Sequence, residues 1–323
     1  MIKHIYFTFL FLLSSFLLAD EFAPINFSNL NPFHISKIQF DHSHLSNLSS
    51  SPINKIELNH SSVSLNDSNK NERLILDGEI TKLSLFSSLR YSENFNIMIE
   101  IPFFKFSEGF MDKHIKNWHK FFGLSDGSRV NQPLDRLLFE YEGISKNSIS
   151  DSFFGVGDIK ISSSFNISNQ DKNNLFLVSA VELPSGSKKK HLSNGQIDFY
   201  SSLVWKNKFK KIHSSSYVGV AYSEKNILFY AKDNNLIKFF GSALSYKPRN
   251  FFDFNNIVFK TSLKISDKYY SSGLDSLGDY SVLIGLGATI SLNDYFISIG
   301  FSEDLKVNSV PDITFVSSLQ KRF

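Results

Sequence analysis

The chain of 323 residues carries 34 Lys and Arg against 31 Asp and Glu, a formal net charge of +3, and no cysteine. With no basic block except Lys188–Lys190, nothing implies a nucleic-acid partner, and the missing cysteine argues against a small secreted domain stapled by disulfides. Hydrophobic residues make up 42% and aromatic residues 15%, including 34 Phe, yet no long apolar run follows the N-terminal one, so another pattern must place these side chains.

At the N-terminus Lys3 and His4 precede an apolar run, Ile5–Leu18, and Ala19 stands before Asp20 and Glu21. A charged start, a short apolar core and a small exit residue read as a cleaved secretory signal over residues 1–19. No cysteine follows it, which excludes a lipoprotein. Residues 20–52 contain Asn29, Asn31 and Pro32, a short strand expected at Phe33–Phe40, and a Ser/His/Asn-rich stretch to Pro52. This is expected to be a periplasmic or lumen-entering segment ahead of a barrel over residues 53–323.

From there the chain alternates with period two, the strand period. In Tyr280–Leu292 the even positions Tyr280, Val282, Ile284, Leu286, Ala288, Ile290 and Leu292 are apolar, and the odd ones are mostly polar or Gly. Twelve strands are expected, at about Lys55–Leu65, Leu74–Tyr91, Phe95–Phe106, Gly155–Ile167, Leu175–Leu183, Gln196–Trp205, Ile212–Tyr222, Leu236–Tyr246, Phe252–Ile265, Tyr280–Leu292, Tyr295–Ser302 and Asp312–Phe323. From Asn66 on, short and long links alternate, as the periplasmic turns and extracellular loops of a membrane barrel do. The fold class is therefore all-β, a transmembrane antiparallel barrel of about twelve strands, with fourteen as the alternative.

One link is too long for a plain loop. In the insert 107–154, Phe110, Met111, Ile115, Trp118, Phe121 and Phe122 recur near a period of 3.6, and Gly123 is placed to end a helix over about 109–122. Three placements are open to it: on the barrel rim, at the outer-leaflet interface, or in the lumen. Arg136–Tyr141 is a further strand candidate, assigned to a cap, a hairpin or the pore because a membrane crossing would break the even strand count.

Several motifs are more specific. Gly109-Phe110-Met111-Asp112, Trp118-His119, Phe122 to Arg129, Gly155-Val156-Gly157-Asp158 and Leu183-Pro184-Ser185-Gly186 together resemble the DUF3187 family of Gram-negative outer-membrane proteins. Asn31-Pro32-Phe33, Leu76-Asp77-Gly78-Glu79 and Glu303-Asp304-Leu305 are similar to it as well. The resemblance implies an outer-membrane barrel and supplies no activity. The last strand, which alternates and stops on Phe323, resembles the C-terminal signal by which such barrels reach their assembly machinery.

Candidate chemistry is sparse. His191-Leu192-Ser193-Asn194-Gly195 resembles the His-x-Ser-Asn-Gly segment of the outer-membrane phospholipase A family. If the following strand extends that far back, His191 and Ser193 share its lipid face, and the imidazole could serve the hydroxyl as a base. No third group to orient it is identifiable. His42, His44 and His60 lie among Ser and Asn and read as solvated histidines, not a metal site. Glu100, Asp158, Lys160 and Glu182 fall on polar strand faces and are expected in the lumen. No cofactor is expected. The leading expectation is a narrow or plugged channel for small molecules, hydrophobic ones included, with outer-membrane lipid, lipopolysaccharide and the barrel-assembly machinery as partners. A structural or surface-interaction envelope protein and a phospholipase-like hydrolase using His191 and Ser193 are the alternatives.

Overall fold

The computed structural model describes residues 21–40, 54–123, 129–130, 132–170, 172–224, 232–248, 256–306, 311 and 313–321. The expected signal 1–19, residues 41–52 and Phe323 lie outside them. In chain order the elements are β1 (Asn54–Ser68), β2 (Arg73–Arg90), β3 (Phe95–Ser107), α1 (Asp112–Phe122), β4 (Leu138–Glu142), β5 (Lys146–Ile149), β6 (Phe153–Val156), β7 (Ile159–Asn169), β8 (Asn173–Leu183), β9 (Asp198–Phe209) and β10 (Ile212–Tyr222). They continue with β11 (Lys232–Asp233), β12 (Leu236–Tyr246), β13 (Ile257–Ser266), β14 (Tyr270–Ser271), α2 (Asp275–Gly278), β15 (Ser281–Leu292), β16 (Tyr295–Asp304) and β17 (Ile313–Lys321).

Long strands pair antiparallel with their chain neighbours, and β17 returns to β1 from Asn54↔Lys321 to Ser62↔Ile313. The result is a closed twelve-stranded barrel of β1, β2, β3, β7, β8, β9, β10, β12, β13, β15, β16 and β17. Closure leaves the wall without a free edge and satisfies its backbone groups internally, which a membrane interior demands.

The parity read in the sequence sorts the two faces. From Leu58 and Leu85 round to Leu286, Ile299 and Phe315, the outward positions are large, apolar and exposed, while lumen positions such as Lys55, Glu57, Ser84 and Gln320 are buried. Soluble proteins rarely expose contiguous apolar patches beyond a few hundred Å². A ring of such residues around a closed barrel belongs in lipid.

Three local departures have physical causes. Between the pairs Glu100↔Lys160 and Phe103↔Val156, β3 has two residues where the partner strand has three, so Gly157-Asp158 forms a bulge. The extra residue reverses the parity: Phe154 and Val156 point outward, while Asp158 and Lys160 are buried. Pro102 sits opposite, where its carbonyl accepts from the Gly157 N–H at 2.9 Å and its missing N–H costs no ladder bond. Second, β1 and β2 run on to Ser68 and Arg73, so the expected long link there shrinks to a tight turn, with Asn69 Oδ1 accepting from the Asn71 and Glu72 N–H groups. Third, the candidate strand Arg136–Tyr141 is β4, which forms a hairpin with β5 and adds to the projecting end of β2 instead of crossing the barrel.

Candidate functional site: the plugged lumen

The barrel interior is filled by residues 21–40, almost all of them buried. Phe33–Phe40 is not the expected strand but part of a compact turn. Asn29 Oδ1 accepts from the Asn31 N–H at 3.0 Å, Asn31 Oδ1 from the Phe33 N–H at 3.0 Å, and the Asn31 carbonyl from the His34 N–H at 2.9 Å. These Asx and backbone turns use the polar groups that an extended segment would offer to a neighbouring strand.

The segment starts at the short-turn end. The Glu21 carboxylate receives Lys247 Nζ at 2.7 and 2.9 Å and Ser291 Oγ at 3.0 Å, while the Phe22 ring stacks on His213 with centroids 3.7 Å apart. Further in, Ile25 and Phe27 pack with Leu283 and Val316 in a small apolar cluster, and Asn26 Nδ2 donates to Glu57 Oε1 at 2.6 Å. At the turn, His34 stacks on Tyr269 at 4.5 Å, and the Tyr270 hydroxyl donates to the Phe33 carbonyl at 2.5 Å. On the return, the Ile38 N–H donates to Asp198 Oδ2 at 3.2 Å and Lys160 Nζ to the Gln39 carbonyl at 3.3 Å. Phe40 ends among Tyr217, Phe239 and Tyr200, with centroids 4.3, 4.9 and 5.3 Å away.

The four charged residues expected in the lumen come together beside this segment. Glu100 is 2.9 Å from Lys82 Nζ and 3.6 Å from Lys160 Nζ, and Lys160 lies 3.8 Å from Glu182. Ser84 Oγ adds a hydrogen bond to Glu100 at 2.8 Å, and the Gly186 N–H donates to Asp158 at 2.7 Å. Buried charges persist only with such partners. Together with Ser28, Asn29, Lys37 and Gln39 they border a cavity of about 30 Å³, room for about one water.

His191 and Ser193 are not on a strand face, because β9 begins only at Asp198. His191 has a left-handed backbone (φ 57) at the end of the 3-10 turn Lys188–Lys190 and is 6% exposed; Ser193 is 0% exposed. Ser193 Oγ accepts from the Gly195 N–H at 2.9 Å. Burial holds the His191 pKa below the ordinary histidine value. Both residues pack the loop against the lumen, away from the lipid face.

The helix of the insert does not plug the barrel. It ends, as expected, where Gly123 adopts a left-handed conformation (φ 68), and the segment around it clasps the outside of β1 and β2. Glu79 Oε1 accepts from the Phe110 and Met111 N–H groups at 2.9 and 2.6 Å, Arg129 Nη2 donates to Ser62 Oγ at 2.9 Å, and Arg136 Nε to Asp77 at 2.6 Å. His60 is not a solvated loop residue either. Its ring lies between Thr81 Oγ1 at 2.8 Å and Glu79 Oε2 at 3.1 Å, with the Phe110 ring stacked at 5.6 Å.

Neither the plug nor the clasp carries a pattern that periodicity could reveal. The motifs Leu76–Glu79, Gly109–Asp112 and Phe122–Arg129 hold the clasp residues without showing their contacts, and the role of the lumen-facing glycines in β15 appears only once Ile25 and Phe27 lie against them.

Among solved structures, the COG4313 outer membrane channel from Pseudomonas putida F1 is similar, at 12% identity over 85% of this chain and 96% of that one, with a TM-score of 0.55. The NanC porin (7% identity, 84% and 98% covered, TM-score 0.47) and the P. putida toluene transporter TodX (9%, 91% and 93%, 0.44) are more distant. At such identities the likeness to the first is one of fold. No curated protein matches the sequence. The family model described as a protein of unknown function, DUF3187, matches residues 3–323, and the chain belongs to that family.

Proposed function

We propose that the protein is an outer-membrane channel closed at rest by its own N-terminal segment, and that it passes small apolar or amphipathic solutes when that segment moves. The observation that carries this reading is that residues 21–40 fill the lumen without joining the wall. No strand pairs with them: no ladder among the described residues includes any of residues 21–40. The wall's hydrogen bonding is thus independent of its filling, whereas the filling is held by side-chain contacts that a ligand or partner can replace. The solute class rests on the lining: Tyr269 and Tyr270 at the turn of the plug, and Tyr200, Tyr217 and Phe239 around its return, present aromatic surface. Such surface offers dispersion and edge contacts to apolar rings and hydroxyl groups to a polar end.

In this reading the chain is exported through residues 1–19 and handed to the barrel-assembly machinery through its last strand. Uptake into liposomes tests the function. Vesicles carrying a variant without residues 21–40 should admit a small aromatic alcohol faster than vesicles carrying the full chain, and faster than a sugar of similar size. Equal, background-level uptake of both solutes by a correctly folded deletion variant would remove the channel reading.

A further inference from the structure

In a water-soluble protein an amphipathic helix turns its apolar face to the body and its charges outward; α1 does not. The edge of α1 that meets the protein carries Asp112, which is buried, with Ile115, Lys116 and His119 half-buried. Asp112 Oδ1 accepts from Arg129 Nη1 at 2.5 Å and Asp112 Oδ2 from the Asp135 N–H at 3.0 Å, so the docking is polar. The aromatic side is left uncovered: Trp118 is 59% exposed, Phe121 81% and Phe122 53%, and Phe110 just ahead of the helix is 65% exposed. These rings are already gathered, Trp118 to Phe122 at 4.4 Å and Phe121 to Phe122 at 4.9 Å between centroids. At 3.6 residues per turn, the exposed Lys113 and Lys120 fall on the opposite side.

The place of the helix says what covers it. It hangs on outward-facing residues of β1 and β2, His60, Ser62 and Glu79, in continuity with Ile56, Leu58 and Leu85 of the lipid-facing wall. We propose that Phe110 and α1 form an arm embedded in the membrane leaflet at the long-loop end, its aromatic side among acyl chains and its lysines at the phosphates of anionic lipids. An aromatic side beside a basic side is the composition of helices that lie in a membrane interface. The proposal rests on the barrel spanning a membrane, and its test separates the two.

The chain has two tryptophans, Trp118 on the arm and Trp205 on the outward face of β9, 44% exposed. The full chain carrying Trp205→Phe reports on the arm and the chain carrying Trp118→Phe on the wall, each reconstituted in vesicles with brominated phosphatidylcholine or brominated phosphatidylglycerol. Both tryptophans should be quenched by brominated lipid and shielded from aqueous iodide. For Trp118 the phosphatidylglycerol probe should be favoured by at least about fivefold, the weight of a single lysine near an anionic leaflet. Lys113→Gln and Lys120→Gln together should abolish that preference and keep the shielding. Iodide quenching of Trp118 with lipid quenching of Trp205 would overturn the arm and leave the barrel reading intact. Iodide quenching of both would overturn both. Lipid quenching of Trp118 without preference for phosphatidylglycerol would overturn the role given to the lysines.

Discussion

Phe27 occupies the space that Gly285 leaves empty: a Cβ on Gly285 would lie 2.1 Å from the Phe27 ring. One turn of the pleat along, a Cβ on Gly287 would lie 2.5 Å from Ile25 Cδ1. The glycines of β15 thus form a groove in the wall that seats the plug. Gly285→Leu should expel the ring, since overpacking of this kind costs about 1–3 kcal/mol, and Phe27→Ala should loosen the same seat by about 3–5 kcal/mol. In both variants residues 21–40 should become protease-sensitive while the wall keeps its heat-modifiable migration on gels.

Glu100 stands between two buried lysines, Lys82 and Lys160. Glu100→Gln should therefore destabilise the protein by about 3–5 kcal/mol, because removing one member of a buried ion pair leaves the other charge poorly compensated. Adding Lys82→Met should recover part of that loss. Thermal unfolding followed by circular dichroism checks the order wild type, double variant, single variant.

At the long-loop end Glu72 ties three segments together, accepting from the Tyr141 hydroxyl at 2.7 Å, Ser272 Oγ at 3.0 Å and the Gly273 N–H at 2.7 Å. Burial alone would raise its pKa, but hydrogen bonds from Tyr141, Gly273, Ser272 and Asn69 outweigh it and hold the carboxyl below its usual 4.5. A carboxylate with a depressed pKa contributes stability that is present above 4.5 and is lost as pH falls through the folded value. Proteolysis of the 267–280 loop should thus be slow at pH 7 and accelerate below the usual carboxylate range. Glu72→Gln should be faster at pH 7 and show little further change on acidification.

The clasp on the outer wall depends on Glu79. Glu79→Leu strips the acceptor from the Phe110 and Met111 N–H groups and should release the arm, each stranded donor costing about 1–3 kcal/mol. Cleavage within 109–122 should rise sharply, with no change in cleavage within 21–40. A variant in which both segments loosen together would show that plug and arm are coupled through the wall.

How much of this was legible follows from what periodicity can encode. Leu286 and Ile299 against Gly285 and Gly300 announce inside and outside, because a closed wall between lipid and lumen imposes period two on every strand. The same logic put Glu100, Asp158, Lys160 and Glu182 on polar strand faces, and all four are buried, Asp158 at the Gly157-Asp158 bulge that shifts the register on the way. Phe33–Phe40 misled because closely spaced apolar residues, Phe33, Ile35, Ile38 and Phe40, look alike in a strand and in a turn packed on all sides, and Asn29 and Asn31 decided for the turn. His60 misled because Ser and Asn around it suggest solvent, whereas Thr81 and Glu79 reach it only across the β1–β2 pair. The helix itself was readable from its spacing. Its outward attitude was not, since that depends on Asp112 meeting Arg129.

Single-channel conductance in planar bilayers tests most directly whether residues 21–40 close the pore. The full chain should be nearly silent, the variant lacking them should show stable openings, and a synthetic peptide of that sequence should block those openings again. A folded deletion variant as silent as the full chain, or a full chain that conducts as well as the deletion, would contradict the account.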